Sequence, residues 1–263
     1  MSESGNVVLG IERSYTGKRW ESSAADDRAA SALSQRHGLS DIVSRVLVAR
    51  GVSIDTADTF LSPSLRSLLP DPAQLQDMEK AAKRLAKAIL SGETIGIFGD
   101  YDVDGATSSA LLQRFVHSVG GRVDIYVPDR LREGYGPNLP ALLGMKSSGA
   151  DVIVTVDCGI TAFDPLAGAA EAGIDVVVVD HHAAEPRLPE AVAVVNPNRL
   201  DDNSAMGQLA AVGVTFLLVI ALNRKLRTLG HYQNRPEPNL KQWLDLVALG
   251  TVCDVVPLVG LNR

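Results

Sequence analysis

TIGIFGDYDVDG, residues 94–105, runs an apolar stretch into an aspartate-rich turn and then into helix-forming sequence. TIGIFG has the composition of a buried strand, and Ala106 to Val119 has the apolar spacing of a helix. The alternation repeats outward along the chain. RVDIYV (122–127) precedes LPALLGMKSSG, DVIVTV (151–156) precedes FDPLAGAAEAG, and IDVVVV (174–179) precedes HHAAEP; a last short run, AVAVVN, ends near Asn196. Strands that read as continuous Val and Ile, each followed by a helix, predict an α/β fold with a parallel sheet covered by helices on both faces. Asp77 to Leu90 predicts a helix before the first strand, and from Leu209 onward the chain reads as a helical segment broken by the polar loop GHYQNRPEPN. Residues 1–72 read as an N-terminal extension, with amphipathic pieces such as IVSRVLVARG and a proline-rich connection LSPSLRSLLPDP; residues 73–263 read as the main domain.

The chain has 263 residues, 46% of them hydrophobic, enough for a sizeable core. A net charge of −6 argues against a surface coated with positive charge for wrapping duplex DNA. It leaves a nucleic-acid substrate open, because metal ions in an acidic cluster invert the local sign. Two cysteines, Cys158 and Cys253, make no disulfide framework and point to the reducing cytoplasm; both read as small buried hydrophobes. The N-terminal sequence lacks the apolar core of a signal peptide. The longest uncharged apolar run, Leu209 to Leu222, is too short to span a bilayer and predicts a buried helix.

GDYDVDG places Asp100, Asp102 and Asp104 on alternate positions before Gly105, as the start of a calcium-binding EF-hand loop does. Such a loop also needs a glutamate at its twelfth position, which is Leu111 here, and a helix before it, where this chain has a strand. Both requirements fail. A lone aspartate in this turn would serve simply as a helix cap. Three within five residues repel one another unless cations offset their charge, so the turn predicts a cation site of another kind.

Ligands of parallel α/β sheets gather at the carboxyl ends of the strands. Asp157 follows VIVTV there, and Asp180-His181-His182 follows VVVV. A mixture of carboxylates and imidazole suits Mn²⁺ or Mg²⁺ better than Ca²⁺, and so few thiolates argue against structural zinc. Such a set around two ions, about 3.5–4 Å apart, suits in-line displacement at phosphorus.

The motifs GDYDVDG, TVDCG, VVVDHH and GTVCDVVPL, in this order, resemble the four motifs of the DHH phosphoesterase superfamily, whose sheet is Rossmann-like. The form of the first and fourth, with VPDRLREGYGPN between the first two and RGVSIDTADTFLSPSL upstream, is similar to its RecJ branch of 5′→3′ exonucleases specific for single-stranded DNA, hydrolases of DNA repair and recombination. The resemblance implies that Asp102 and Asp157 hold one Mn²⁺ (or Mg²⁺) with Asp100 nearby. It implies that Asp104, Asp157, His181 and Asp254 hold a second, Asp157 bridging. His182 would stand over the scissile phosphate, Asp180 would orient an imidazole from behind, and Arg130 and Tyr135 would contact the strand. Single-stranded DNA would be the partner, with a single-strand-binding protein and a repair helicase as further partners and no membrane.

Two departures qualify these expectations. Other branches of the superfamily carry a histidine four residues before Asp102, where this chain has Phe98, so one metal site would have fewer protein ligands. RecJ-like proteins also continue into a second substrate-binding domain and an OB-type fold. Their absence here implies a fragment that holds the metal half of the site and has weak or no activity alone. The competing functions are a DHH phosphodiesterase or pyrophosphatase for small phosphates, a catalytically dead DNA-binding scaffold, and a phosphoacceptor receiver domain. The last has no use for paired histidines.

Overall fold

A computed structural model describes residues 7–21 and 26–263; residues 1–6 and 22–25 of the N-terminal extension lie outside the described residues. The chain divides into two compact units, Met1–Leu69 and Pro70–Arg263.

In the first unit, helices α1 (Asp27–His37) and α2 (Asp41–Ala49) pair, followed by the short α3 (Ala57–Leu61) and α4 (Leu65–Leu68). Asp26 caps α1 by accepting from the Arg28 and Ala29 amides, and Ser40 caps α2. Leu33, Leu47, Val52 and Ala57 form its small core.

The second unit runs α5 (Met78–Ser91), β1 (Thr94–Gly99), α6 (Val103–Ser118), β2 (Arg122–Tyr126), α7 (Arg130–Glu133), α8 (Leu139–Ser147), β3 (Val152–Val156), α9 (Phe163–Glu171), β4 (Asp175–Val179), β5 (Ala193–Val195), α10 (Ala211–Thr228) and α11 (Leu244–Cys253). The five strands form one sheet in the order β2-β1-β3-β4-β5, every pair parallel. All five residues of β3 are buried, as continuous Val and Ile in a doubly covered sheet require. Phe98, Ile153, Val176, Val178 and Val194 share one apolar cluster with Leu142 and Met145 of α8 and Leu166 and Ala169 of α9. Residues of the opposite parity face the other layer, where α5, α6 and α10 contact the sheet. Residues 211–223 of α10 are buried throughout, so this helix is apolar on all sides because it lies inside the domain. Among the described residues, no helix is long and apolar enough to cross a membrane.

Three local expectations are corrected. Helix α6 begins at Val103 rather than Ala106, because the Asp102 carboxylate accepts the Gly105 amide and caps it early. No helix joins β4 to β5; HHAAEP lies in an irregular connection that contains Pro186 and Pro189. Cys158 is buried, but Cys253 is exposed, on the outer side of the last turn of α11 beside exposed Val252.

At the amino ends of the strands, Arg84 of α5 ties three elements together. Its Nε donates to Asp175 at 2.5 Å, Nη1 to Glu93 at 2.7 Å, and Nη2 to the Asp151 carbonyl at 3.4 Å. The Arg84 side chain is only 11% exposed, whereas Asp175 is 49% exposed, which screens part of the interaction. Arg84→Ala is expected to lower stability by about 1–3 kcal/mol in urea denaturation, because Glu93 and Asp175 lose their shared partner. An unchanged urea midpoint would show that the cluster does not hold the sheet.

Candidate metal centre

In the strand order found here, the chain leaves β1 to one side for β2 and returns on the other for β3, so the crevice between β1 and β3 is the switch point. The backbone continues its ladder one residue past each strand. The Asp100 amide donates to the Val156 carbonyl at 3.2 Å, Asp157 to Val179 at 3.0 Å, and Asp180 to Val195 at 3.1 Å. Three aspartates from three distant motifs therefore stand side by side, one strand spacing of about 4.8 Å apart.

After Asp100 the chain turns at once into α6. Gly105 lies against the Asp100 backbone: a Cβ there would be 2.4 Å from the Asp100 carbonyl oxygen. The glycine of GDYDVDG is thus needed for close approach of a helix to a strand end. Asp104, 1% exposed, reaches across to the start of α10, where it accepts from the Ala211 amide at 2.6 Å and the Val212 amide at 2.8 Å. That helix has no capping side chain of its own, so Asp104 serves as its remote cap and answers its dipole.

Asp157 adopts a left-handed backbone, φ 62°, a strained state for a residue with a side chain. Asp254 ends α11, and Val255 after it is also left-handed at φ 60°. The fully buried Asp180 is saturated by hydrogen bonds. It accepts from the amides of Ile160, His181 and His182, and its Oδ1 lies 2.7 Å from His182 Nδ1. His181 Nδ1 lies 3.1 Å from the Leu209 carbonyl, to which it donates, so Nε2 is the free ring nitrogen. Asn196 and Asn198 hold the carbonyls of His182 and His181 through their side-chain amides.

The free Nε2 of His181 stands 3.4 Å from Asp157 Oδ1, 3.6 Å from Asp254 Oδ2 and 3.9 Å from Asp104 Oδ2. Asp100 Oδ1, Asp157 Oδ1, Asp254 Oδ2 and His181 Nε2 are all buried without a hydrogen-bond partner. Buried polar atoms left this way are costly, and three carboxylate oxygens converging on a single imidazole leave excess negative charge that suits cations. Three overlapping groups have ligand atoms within 4.8 Å of one another: Asp100, Asp102 and Asp157; Asp104, His181 and Asp254; Asp157, His181 and His182. The six residues expected as ligands are all brought together here.

The electrostatics agree. Burial pushes the Asp104 carboxyl up to about 6, against the pull of the two α10 amides. Burial, with the charges of Asp104 and Asp102, also drives Asp157 upward, and burial raises Asp100 and Asp254. For His181, burial opposes the charged form, yet the facing carboxylates of Asp157, Asp254 and Asp104 raise it to about 9. Asp180 differs: burial would raise it, but the His182 hydrogen bond and the backbone amides hold it below the usual range.

Arg130 and Tyr135 lie on the connection between β2 and α8. The Arg130 guanidinium sits 5.0 Å over the Tyr101 ring, and the Tyr135 hydroxyl donates to the Asp157 carbonyl at 3.3 Å, with its ring edge-on to His182. Phe98, where other branches have a histidine, is fully buried in the α8–α9 cluster and stacked on Tyr126. Five participating residues were not foreseen: Ala211 and Val212 through their amides, Leu209 through its carbonyl, and the pair Asn196 and Asn198. Only NPN, directly after the last strand run, carried a readable signal, as a turn of side chains that bond to backbone.

Residues 94–251 match the model of the DHH family, N-terminal domain. Among curated proteins, the chain is 38% identical over 248 residues to the single-stranded-DNA-specific exonuclease RecJ of Bacillus subtilis, covering 93% of this chain and 30% of that protein. It is 42% identical over 228 residues to the RecJ of Escherichia coli, covering 86% of this chain and 39% of that protein. A solved structure of RecJ in complex with Mn²⁺ from Thermus thermophilus superposes with a TM-score of 0.70 at 30% identity, covering 90% of this chain and 32% of that one. The chain thus spans about a third of the length of these relatives.

Gly105→Ala is expected to force α6 away from Asp100, costing about 1–3 kcal/mol or more as an overpacked contact does. Urea denaturation reads the loss, and wild-type stability would mean that the two backbones are not in contact.

Proposed function

Because the chain belongs to the DHH family, we propose that Pro70–Arg263 is the metal-holding part of a hydrolase: a RecJ-type exonuclease that cuts single-stranded DNA 5′→3′ and releases 5′-mononucleotides. The observation that carries the proposal is the convergence of partnerless carboxylate and imidazole atoms from four separate motifs at one sheet edge. Similarity to proteins named as single-stranded-DNA-specific exonucleases supports the substrate, and a relative solved with Mn²⁺ supports the metal.

In this proposal Asp102 and Asp157, with Asp100, hold one Mn²⁺ or Mg²⁺. Asp104, Asp157, His181 and Asp254 hold a second, Asp157 serving both. Once bound, the two cations supply Lewis-acid neutralisation of phosphate charge and activation of an attacking water. The chain's own groups bind and orient. The Asp180 hydrogen bond foremost raises the pKa of His182, so its ring is more readily a cation and can donate to a phosphate oxygen or the leaving oxygen. Burial and the nearby carboxylates hold the Tyr135 phenol above its ordinary range, keeping it a donor. Arg130, steadied by the Tyr101 ring, supplies a forked donor for phosphate. DNA repair and recombination in the cytoplasm, beside a single-strand-binding protein and a repair helicase, is the setting such an activity implies.

Calorimetric titration with Mn²⁺ is expected to show two ions per chain, with one site lost in Asp254→Asn and both weakened in Asp157→Asn. With Mn²⁺, slow release of 5′-mononucleotides is expected from long single strands and not from duplex. One ion or none, or preference for dinucleotides over long strands, would overturn the proposal. Affinity for Mn²⁺ should also depend on pH. His181 and Asp104 must both be deprotonated to hold a cation, so protons compete for the site as pH falls through about 9 and again through about 6. Kd should then weaken by up to about tenfold per pH unit for each proton taken up. Equal Kd values at pH 7.5 and 5 would exclude His181 and Asp104 together as ligands.

A further inference from the structure

Residues 127–138, between β2 and α8, carry both Arg130 and Tyr135, and Glu133 lies between them. Its carboxylate is held by three donors. Tyr126 Oη donates to Oε2 at 2.6 Å, Asn138 Nδ2 donates to Oε2 at 3.2 Å, and the Asp129 amide donates to Oε1 at 2.8 Å. Each donor is itself anchored: Tyr126 ends β2 and stacks on buried Phe98, Asn138 caps α8 through the Ala141 amide, and Asp129 caps α7 through the Leu131 amide. Glu133 thus fastens the connection to the sheet and to two helix starts.

Beyond it Gly136 and Pro137 are buried, but Tyr135 itself is exposed. Tyr135 lies between Gly134 and Gly136, both left-handed at φ 81° and φ 80°, where rotation is cheap. Its hydroxyl makes one long bond, 3.3 Å, to the Asp157 carbonyl, and stands 3.5 Å from His182 Nδ1. Neither contact is strong enough alone to fix the ring over the acidic centre.

We propose that Glu133 is a positioning residue: by gathering Tyr126, Asp129 and Asn138, it sets the connection that holds Tyr135 against His182 and Arg130 above Tyr101. It rests on the reading of Arg130 and Tyr135 as strand contacts. Glu133 touches neither the expected ligands nor the substrate and acts through Tyr135, so its loss should weaken capture of the strand and spare the metal.

The test compares Glu133→Ala, Glu133→Gln and Tyr135→Phe in the Mn²⁺-loaded chain, using a 5′-phosphorylated single strand. For Glu133→Ala, KM is expected to rise about tenfold with kcat within about twofold and Mn²⁺ binding unchanged. Glu133→Gln, which keeps one accepting oxygen for the Asp129 amide, should show a smaller rise. The double variant Glu133→Ala/Tyr135→Phe should be no worse than the more impaired single one, because loss of Glu133 already releases the Tyr135 contact. A readout independent of turnover is the NMR shift of the His182 ring, whose centroid lies 6.0 Å from the Tyr135 ring, edge-on. That shift should change in Glu133→Ala. Additive losses, an unchanged KM, or an unmoved His182 resonance would each overturn the proposal. If the wild-type chain bound no single strand, the strand-contact reading would fall on its own, and the His182 resonance would still decide whether Glu133 sets the connection.

Discussion

Asp104 joins the two halves of the Pro70–Arg263 unit. Its carboxylate closes the open amino end of α10, the helix that lies buried beneath the sheet, while its own backbone belongs to the first turn of α6 at the end of β1. Four amides at a helix start have no partner within the helix, and in a buried helix they cannot be left to water. A charged acceptor satisfies two of them and interacts with the dipole besides. This contact brings Leu209, just upstream of α10, to His181, and sets α6 against α10 and α11 so that Asp254 arrives beside them. The acidic edge therefore cannot be separated from the fold: the residue that caps the central helix is one of the cluster.

The buried aspartates at this edge divide into two kinds. Asp180 has its acceptor capacity filled by three amides and an imidazole, and its pKa falls despite nearly complete burial. Asp157 is nearly as buried, yet one oxygen has no partner and its pKa rises. Both sit in the same register position, one residue past adjacent strands. The difference lies first in His182, whose ring and amide bond Asp180 along with the His181 amide, and then in the turn after β3, which aims the Ile160 amide at Asp180 instead of at Asp157. One carboxylate thereby becomes part of the scaffold, and the other is left facing the crevice with unspent capacity for a cation.

Much of this was legible in the sequence because the sheet is covered on both faces. Complete burial selects unbroken Val and Ile, so β3 and β4 stand out, and in a parallel sheet the residues just beyond them share one edge. Asp100, Asp157 and Asp180 could be placed together on that ground alone. Asp254 could not, because a helix terminus 74 residues beyond Asp180 has no register that ties it to the sheet; only the ordered set of four motifs singled it out. The capping of α10 by Asp104 was hidden for a different reason. A remote cap leaves no local mark, and LAAVG reads the same whether its amides are satisfied or not. The missing helix between β4 and β5 and the exposure of Cys253 were errors of local inference, in which composition suggested an environment that tertiary packing did not supply.

Adjacent identical side chains can be assigned different work by what holds one ring nitrogen. His181 gives Nδ1 to a backbone carbonyl, which turns Nε2 toward the carboxylates; with no cation present they favour the protonated ring, and a bound cation would take the place of that proton on Nε2. His182 gives Nδ1 to a buried carboxylate, which favours the imidazolium and leaves Nε2 as a donor. An acceptor of cations and a donor to anions are opposite roles, and a phosphate held over two cations calls for both. A carbonyl in place of the carboxylate behind His182 would remove the charge that favours its imidazolium and so weaken it in its proposed role, while leaving the sequence His-His intact. The chemistry of the pair therefore resides in Asp180 and Leu209 as much as in the imidazoles.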